Sequence, residues 1–517
     1  MSSADEKSLP GDADVKLAPL EIDPVVERRV VRKLDMTVLI AFAMVFGINY
    51  LDKIGLSYAT IFGMKKDLAL VKQDYSWTAS IFYFGQAASE FVCLYLLHKL
   101  PIRSFVGVSI VIWATVVACQ AATKNFTDMM IVRFFLGFTE GAVAPAFVLM
   151  TSFFYRKREQ PIRIAVFVSF NALAQIVGAL LLYGCGSITG GALKGWRISF
   201  LICAALTILI GIYFFIFVPK SPGQAWFLTP EEREVAVARV AQERASLAHS
   251  NIDWCQIRQT ILDVRFYLVF LWAFFVCITS VVTFGSVVIS GFGFTPFKTL
   301  LVGLPGPAIQ LATIWIGAGS LYFLPNARGW TQMALTLVPL TGVAMMRGLP
   351  YHSKWALTGG YWLATCNSSA VSRIPLLFRP PFLSISPTSA LETRMLILYS
   401  YSVYVVNMSL IASNFKGHTR KTMCSVVYFF GYCVGCIAGP QLFLSYEAPL
   451  YRTAMNTIVG MYCAYFASML LYREICRREN NRRDKLAAEG VEEAKPRLAT
   501  HESNETDIDD LAFRYIV

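Results

Sequence analysis

Charge is what this chain lacks. Asp, Glu, Lys and Arg make up only 15% of its 517 residues, against about 25% in an ordinary soluble domain. Hydrophobic residues make up 56%, and mean hydropathy is +0.52. A fold in water cannot hide so much apolar surface, whereas lipid removes the need to hide it. Also missing are the glycine-rich lysine loop of nucleotide-driven pumps, the paired-histidine helix of zinc hydrolases and the serine elbow of esterases. An ATP-driven pump or a membrane hydrolase therefore has no support, and no enzyme activity is expected. The 12 cysteines are scattered through apolar segments. Cys433 and Cys436 form one close pair inside an apolar helix, with no second pair to complete a four-ligand site. These thiols read as small packing groups, and no metal or cofactor is expected. Residues 1–34 are polar and hold no short apolar signal segment, so the first span is expected to direct insertion.

What is present is a series of apolar runs, each close to the roughly 20 residues that cross about 30 Å of hydrocarbon. They fall at 36–58, 76–97, 104–123, 127–151, 161–183, 197–218, 265–289, 297–322, 330–348, a disturbed tenth, 422–444 and 452–472. The expected fold is an all-α membrane protein, a bundle of about 12 transmembrane helices in two six-helix halves, 35–218 and 264–472. A cytoplasmic N-terminal tail (1–34) precedes them. A disordered cytoplasmic C-terminal tail (473–517) is expected to follow. The polar linker 219–263 separates the halves. In it Thr229, Pro230, Glu231 and Glu232 have the order of a helix start: an N-cap, a first-turn proline and two acids at the positive end.

The net charge of +12 sits between the apolar runs, which suits orientation in a membrane and not nucleic acid. Arg28, Arg29, Arg32 and Lys33, then Lys99 and Arg103, then Arg156, Lys157 and Arg158, then Lys416, Arg420 and Lys421, and finally Arg473, Arg477, Arg478, Arg482 and Arg483 occupy alternate loops. Basic loops stay cytoplasmic, so both termini are expected inside. Lys65, Lys66 and Lys72 are the exception. Trp77 and Trp196, near span ends, read as interfacial anchors.

The tenth span begins over 354–370 and would finish over 403–413. Between them Arg373, Pro375, Arg379, Pro380 and Pro381 cannot sit as a helix in lipid. Joining Ala370 to Val403 restores one apolar span and an even count. The stretch 371–402 therefore reads as an atypical insert, intron sequence translated through a gene-model error, with a real external loop as the alternative.

Charges inside spans carry the functional reading, since each costs about 3 kcal/mol or more at bilayer depth. Asp52 and Lys53 lie late in the first span, Glu90 in the second, Arg133 and Glu140 in the fourth. Arg133 and Glu140 are seven residues apart, so they share a helix face with Gly137 between them. Such a glycine leaves room for a neighbouring helix or a ligand. A carboxylate there can take up and release a proton, and an arginine can grip an organic carboxylate with two prongs. The alternative is that Arg133 and Glu140 pair and only lock the bundle. Asn171 and Gln175 in the fifth span, and Gln310 beside Gly303, Pro305, Gly306 and Pro307, could bind a solute or bond across helices.

Three stretches resemble the fungal allantoate permease family, the anion:cation symporter branch of the major facilitator superfamily. They are RFFLGFTEGAVAPAFVLMTSFFYRKREQPIRIAVFVSFNALAQIVG from Arg133, YLDKIGLSYATIFGMKKDL from Tyr50, and SLIASNFKGHTRKT from Ser409. The resemblance covers roughly 30–475. It implies proton-coupled import of a small organic anion or nitrogenous nutrient such as allantoate or ureidosuccinate, by a monomer in the plasma membrane. A vitamin such as nicotinate, a short peptide, or a non-transporting nutrient receptor on the same scaffold are the alternatives. On this reading Arg133 and Lys53 attract the anion and Glu140 or Asp52 carries the proton. The superfamily's loop after the second span is reduced here to Leu97-His98-Lys99-Leu100-Pro101-Ile102-Arg103, without its acid.

Overall fold

Runs of apolar residues long enough to cross a bilayer fold as helices, because a helix satisfies every backbone group within the segment. The computed structural model describes residues 23–491 and 506–516, apart from 142, 157–158, 187–192, 245–252, 280–283, 314–327, 366–406, 408–409 and 412. The described residues are helical with connecting turns, and contain no strand. The insert 371–402 and the Ala370–Val403 junction lie outside the described residues.

The first half contains α1 (Pro24–Ile61), α2 (Asp74–Lys99), α3 (Ile102–Gln120), α4 (Phe126–Gly141) continued by α5 (Val143–Phe154), α6 (Gln160–Gly186) and α7 (Gly195–Phe217). The linker carries α8 (Pro230–Arg244) and α9 (Trp254–Leu262). The second half contains α10 (Val264–Ile278), α11 (Gly285–Gly291), α12 (Pro296–Gly303), α13 (Arg328–Gly348), α14 (Lys354–Ala364), α15 (His418–Gln441) and α16 (Arg452–Ala488). The expected Thr229 start is realised as a reciprocal cap: the Glu232 amide donates to Thr229 Oγ1 at 3.3 Å, and the Thr229 amide to Glu232 Oε2 at 3.0 Å.

Packing repeats between the halves. In the first, α1 lies against α6 and α7, and α3 against α7. In the second, α10 lies against α15 and α16, and α13 against α16. The same pairing extends to charge. Asp35 of α1 takes the Arg163 guanidinium of α6 at 2.9 Å, and Asp263, which caps α10, takes that of Arg420 on α15.

Three apolar cores divide the bundle. One belongs to the first half, around Phe42, Val45, Trp113, Phe147 and Phe214. Another belongs to the second half, around Trp272, Tyr428, Tyr465 and Cys476. The third unites both halves at the end away from the termini, where Leu56, Tyr75 and Trp196 meet Phe284, Tyr361, Phe443 and Tyr451. There Phe284 stacks on Phe443 with ring centroids 4.3 Å apart, and Ser57 bonds Ser286 at 3.0 Å. Towards mid-depth the halves touch through Tyr83 and Tyr432, Ser80 and Gln441, and Gln175 and Gln310. On the side that carries the termini, no ion pair among the described residues joins one half to the other. The bundle is thus sealed at its far end.

Three expectations change. Trp196 is fully buried and donates to Asp67 at 2.6 Å, so it packs inside the seal, whereas Trp77 is exposed. Of the lysines on the far side, Lys65 is not a free surface charge: it lies over the Tyr75 ring at 4.4 Å, and burial pulls its ammonium below the ordinary lysine value. The stretch after the last span is not a free tail. Helix α16 runs on to Ala488, and residues 506–516 fold back onto the second half.

Candidate functional site

Two helices meet so closely that only glycine fits between them. A Cβ on Gly137 of α4 would lie 1.8 Å from the Phe82 carbonyl oxygen of α2, and one on Gly85 would lie 2.0 Å from that of Phe134. Gly141 repeats the fit against Ser89. Gly137 therefore makes room for a neighbouring helix and not for a ligand. This contact sets the Arg133 and Glu140 face of α4 beside Phe82, where α1 brings Asn49, Asp52 and Lys53.

The alternative reading, a pairing of Arg133 with Glu140, is not what the described residues show. Glu140 Oε2 instead accepts a hydrogen bond from Asn49 Nδ2 at 3.0 Å, and Lys53 Nζ stands 3.7 Å from the same oxygen. Its second oxygen, Oε1, is buried without a hydrogen-bond partner. Arg133 is only 2% exposed; among the described residues its Nε has no hydrogen-bond partner and no ion pair joins it to a carboxylate. Its guanidinium faces the Phe82 ring at 5.9 Å, and the Lys53 ammonium faces the same ring at 5.6 Å. Asp52 is 1% exposed, with the buried Trp113 indole as its neighbouring donor. It lies within electrostatic range of Glu140, Arg133 and Lys53. Leaving a charge buried and unpaired costs several kcal/mol, which makes the buried Arg133 guanidinium the costliest member of this cluster.

The remaining candidates divide. Gln175 on α6 donates to Gln310 of the opposite half at 2.7 Å, so these two meet across the midline. Asn171, one turn before Gln175, is buried with its Oδ1 unsatisfied. Glu90 is buried on α2, two turns along from Phe82. Sequence reasoning missed Asn49 and Phe82. Asn49 had a signal, being a polar residue one turn before Lys53 on an otherwise apolar face. Phe82 had none, since aromatics fill most spans. Among the described residues no group of acids, histidines and cysteines could hold a metal.

A family model for the Major Facilitator Superfamily matches residues 40–440. The chain belongs to that superfamily. An uncharacterized transporter of Schizosaccharomyces pombe is 34% identical over 96% of this chain and 90% of its own length. The allantoate permease of Saccharomyces cerevisiae is 28% identical over 98% of this chain and 90% of its own, and a thiamine pathway transporter of the same yeast is 29% identical over 94% and 86%. A solved D-xylose-proton symporter superposes with a TM-score of 0.59 at 11% identity, over 84% of this chain and 96% of that one. The nucleoside transporter NupG gives 0.55 at 10% identity, over 84% and 99%. At such identities the structures speak for the fold alone. As a major facilitator superfamily member the chain is a secondary transporter in a multi-pass membrane fold of about twelve helices, and its resemblance to the fungal allantoate permeases stands. The repeated pairing of α1 with α6 and of α10 with α15 suits a superfamily built from two parallel repeats.

Proposed function

We propose that this transporter imports a small organic anion or nitrogenous nutrient, of the allantoate or ureidosuccinate kind, together with a proton. The observation that carries the reading is Arg133: a cation buried within the fourth span, on an aromatic face, with no carboxylate paired to it among the described residues. An organic carboxylate would complete its planar fork. Lys53 would add attraction while remaining near Glu140. Glu140 or Asp52, both buried beside these cations, would take the proton, and either would release it when the surroundings change. Asn171, Gln175 and Gln310 offer hydrogen bonds to the polar remainder of the solute, the last two from opposite halves. That the yeast relative is named allantoate permease supports an anion.

The basic loops lie with the termini, which by the positive-inside rule puts that side in the cytoplasm. The seal between Phe284, Phe443 and Tyr75 would then close the outer end, making this the inward-facing arm of an alternating-access cycle in the plasma membrane. The monomer holds all of these residues.

The test is uptake of labelled allantoate and related anions by cells expressing the chain, preceded by growth on single nitrogen sources to choose the solute. Uptake should rise as external pH falls and collapse with a protonophore, since each proton moving inward releases about 2.3 kcal/mol per 100 mV. Uptake indifferent to both treatments would make the protein a facilitator.

A further inference from the structure

We propose that the terminal-side face of the second half is a peptide-binding site whose ligand is the chain's own last residues, an acidic and aromatic segment centred on Asp507 and Tyr515. The pocket carries more cations than acids: Arg265, Arg420, Arg483 and Lys416 line it, and Asp263 is shared by the first two. Arg265 at the start of α10 and Arg420 at the start of α15 both turn to Asp507, at 2.9 and 2.8 Å. Asp507 is wholly buried there, and its Oδ1 also accepts the Lys416 amide at 3.0 Å. Lys416 Nζ reaches Asp510 at 2.6 Å.

The backbone of the segment is read as well as its charge. Arg483 on α16 is buried and donates to the carbonyls of Asp507, Asp510 and Phe513 at 2.8 to 3.0 Å. Asn480 and Asn414 each make a two-way pair: Asn480 with the carbonyl and amide of Tyr515, Asn414 with those of Ile516. The Tyr515 ring then lies under the Arg265 guanidinium at 4.5 Å. A side-chain amide that bonds both N–H and C=O of one residue recognises extended peptide. The opposite half shows the same device with its charges reversed. There the linker helix α8 inserts a buried cation, Arg239, between the two acids Glu27 and Glu159.

The hydrogen bonds and ion pairs described for residues 506–516 run to α9, α10, α15, α16 and the residues just before α15. The peptide thus ties together the helix ends of one half and moves with it. It does not bridge the opening between the halves. Its role is to keep those ends in one body while the halves rock, so it is needed for transport and need not leave during the cycle.

The experiment keeps the whole folded chain. A specific protease site is inserted between residues 492 and 505, and the purified transporter is cleaved after folding. The severed 506–517 fragment is expected to co-elute with the transporter and to be displaced by excess synthetic peptide of the same sequence, but not by peptide carrying Asp507→Asn. Cleaved transporter that retains the fragment should transport as the uncleaved protein does. Asp507→Asn in the intact chain should lower maximal uptake about tenfold at equal surface delivery, with KM unchanged. The proposal is overturned if the wild-type fragment elutes on cleavage, if the Asp507→Asn peptide competes equally, or if Asp507→Asn transports normally.

Discussion

Lys53, and not Arg133, is the cation that faces Glu140: the ammonium stands 3.7 Å from the carboxylate across the contact between α1 and α4. Arg133, on the same helix as Glu140, is left with an aromatic ring. On the proposed reading, this partition separates the anion-receiving group from the proton-handling pair.

Arg133→Ala should abolish uptake at normal surface delivery, and Arg133→Lys should restore less than a tenth of it, because an ammonium cannot form the planar two-pronged contact. Labelled-solute uptake alongside surface labelling checks both variants. Normal transport by Arg133→Ala would remove the anion site from this position.

Glu140→Gln should flatten the dependence of uptake on external pH while leaving exchange of solute across an equal pH largely intact. Lys53→Met leaves the buried Glu140 carboxylate without the cation nearest to it, a loss typically costing about 3–5 kcal/mol. The double variant Lys53→Met with Glu140→Gln should therefore be recovered in better yield than Lys53→Met alone. Equal yields would show that the two residues are not coupled.

Gly137→Ala tests the helix contact that places the site. Its methyl would fall 1.8 Å from the Phe82 carbonyl, which is backbone and cannot swing aside. Separating α2 from α4 is expected to cost about 1–3 kcal/mol, to lower the melting temperature of the purified protein and to depress uptake. Gly460→Ala on α16, where a methyl meets open space, should change neither. Equal melting of the two variants would contradict the close contact.

Ser57 and Ser286, hydrogen-bonded between halves at 3.0 Å, offer a lock on the far-end seal. The pair Ser57→Cys and Ser286→Cys should form a disulfide on mild oxidation, stop uptake, and regain it with reductant. Uptake that continues with the bond formed would show that this end does not open during transport.

Much of the architecture could be read before any coordinates. Apolar runs of span length, basic loops on alternate sides and the capped linker helix at Thr229 all follow from local chemistry that each segment carries by itself. The buried charges were legible for a similar reason, since an ionised side chain within an apolar run is rare and costly. Their partners were not. Seven residues along a helix is a rise of about 10 Å, so sharing a face placed Arg133 and Glu140 on one surface without bringing them into contact. Only the crossing of α1, fixed by packing between distant segments, chose Lys53 and Asn49 for Glu140 and left Arg133 with Phe82. The C-terminal segment makes the same point. Its polar composition read as disorder because nothing local compensates its charges, and it is ordered because Arg265, Arg420 and Arg483 converge on it from three separate helices.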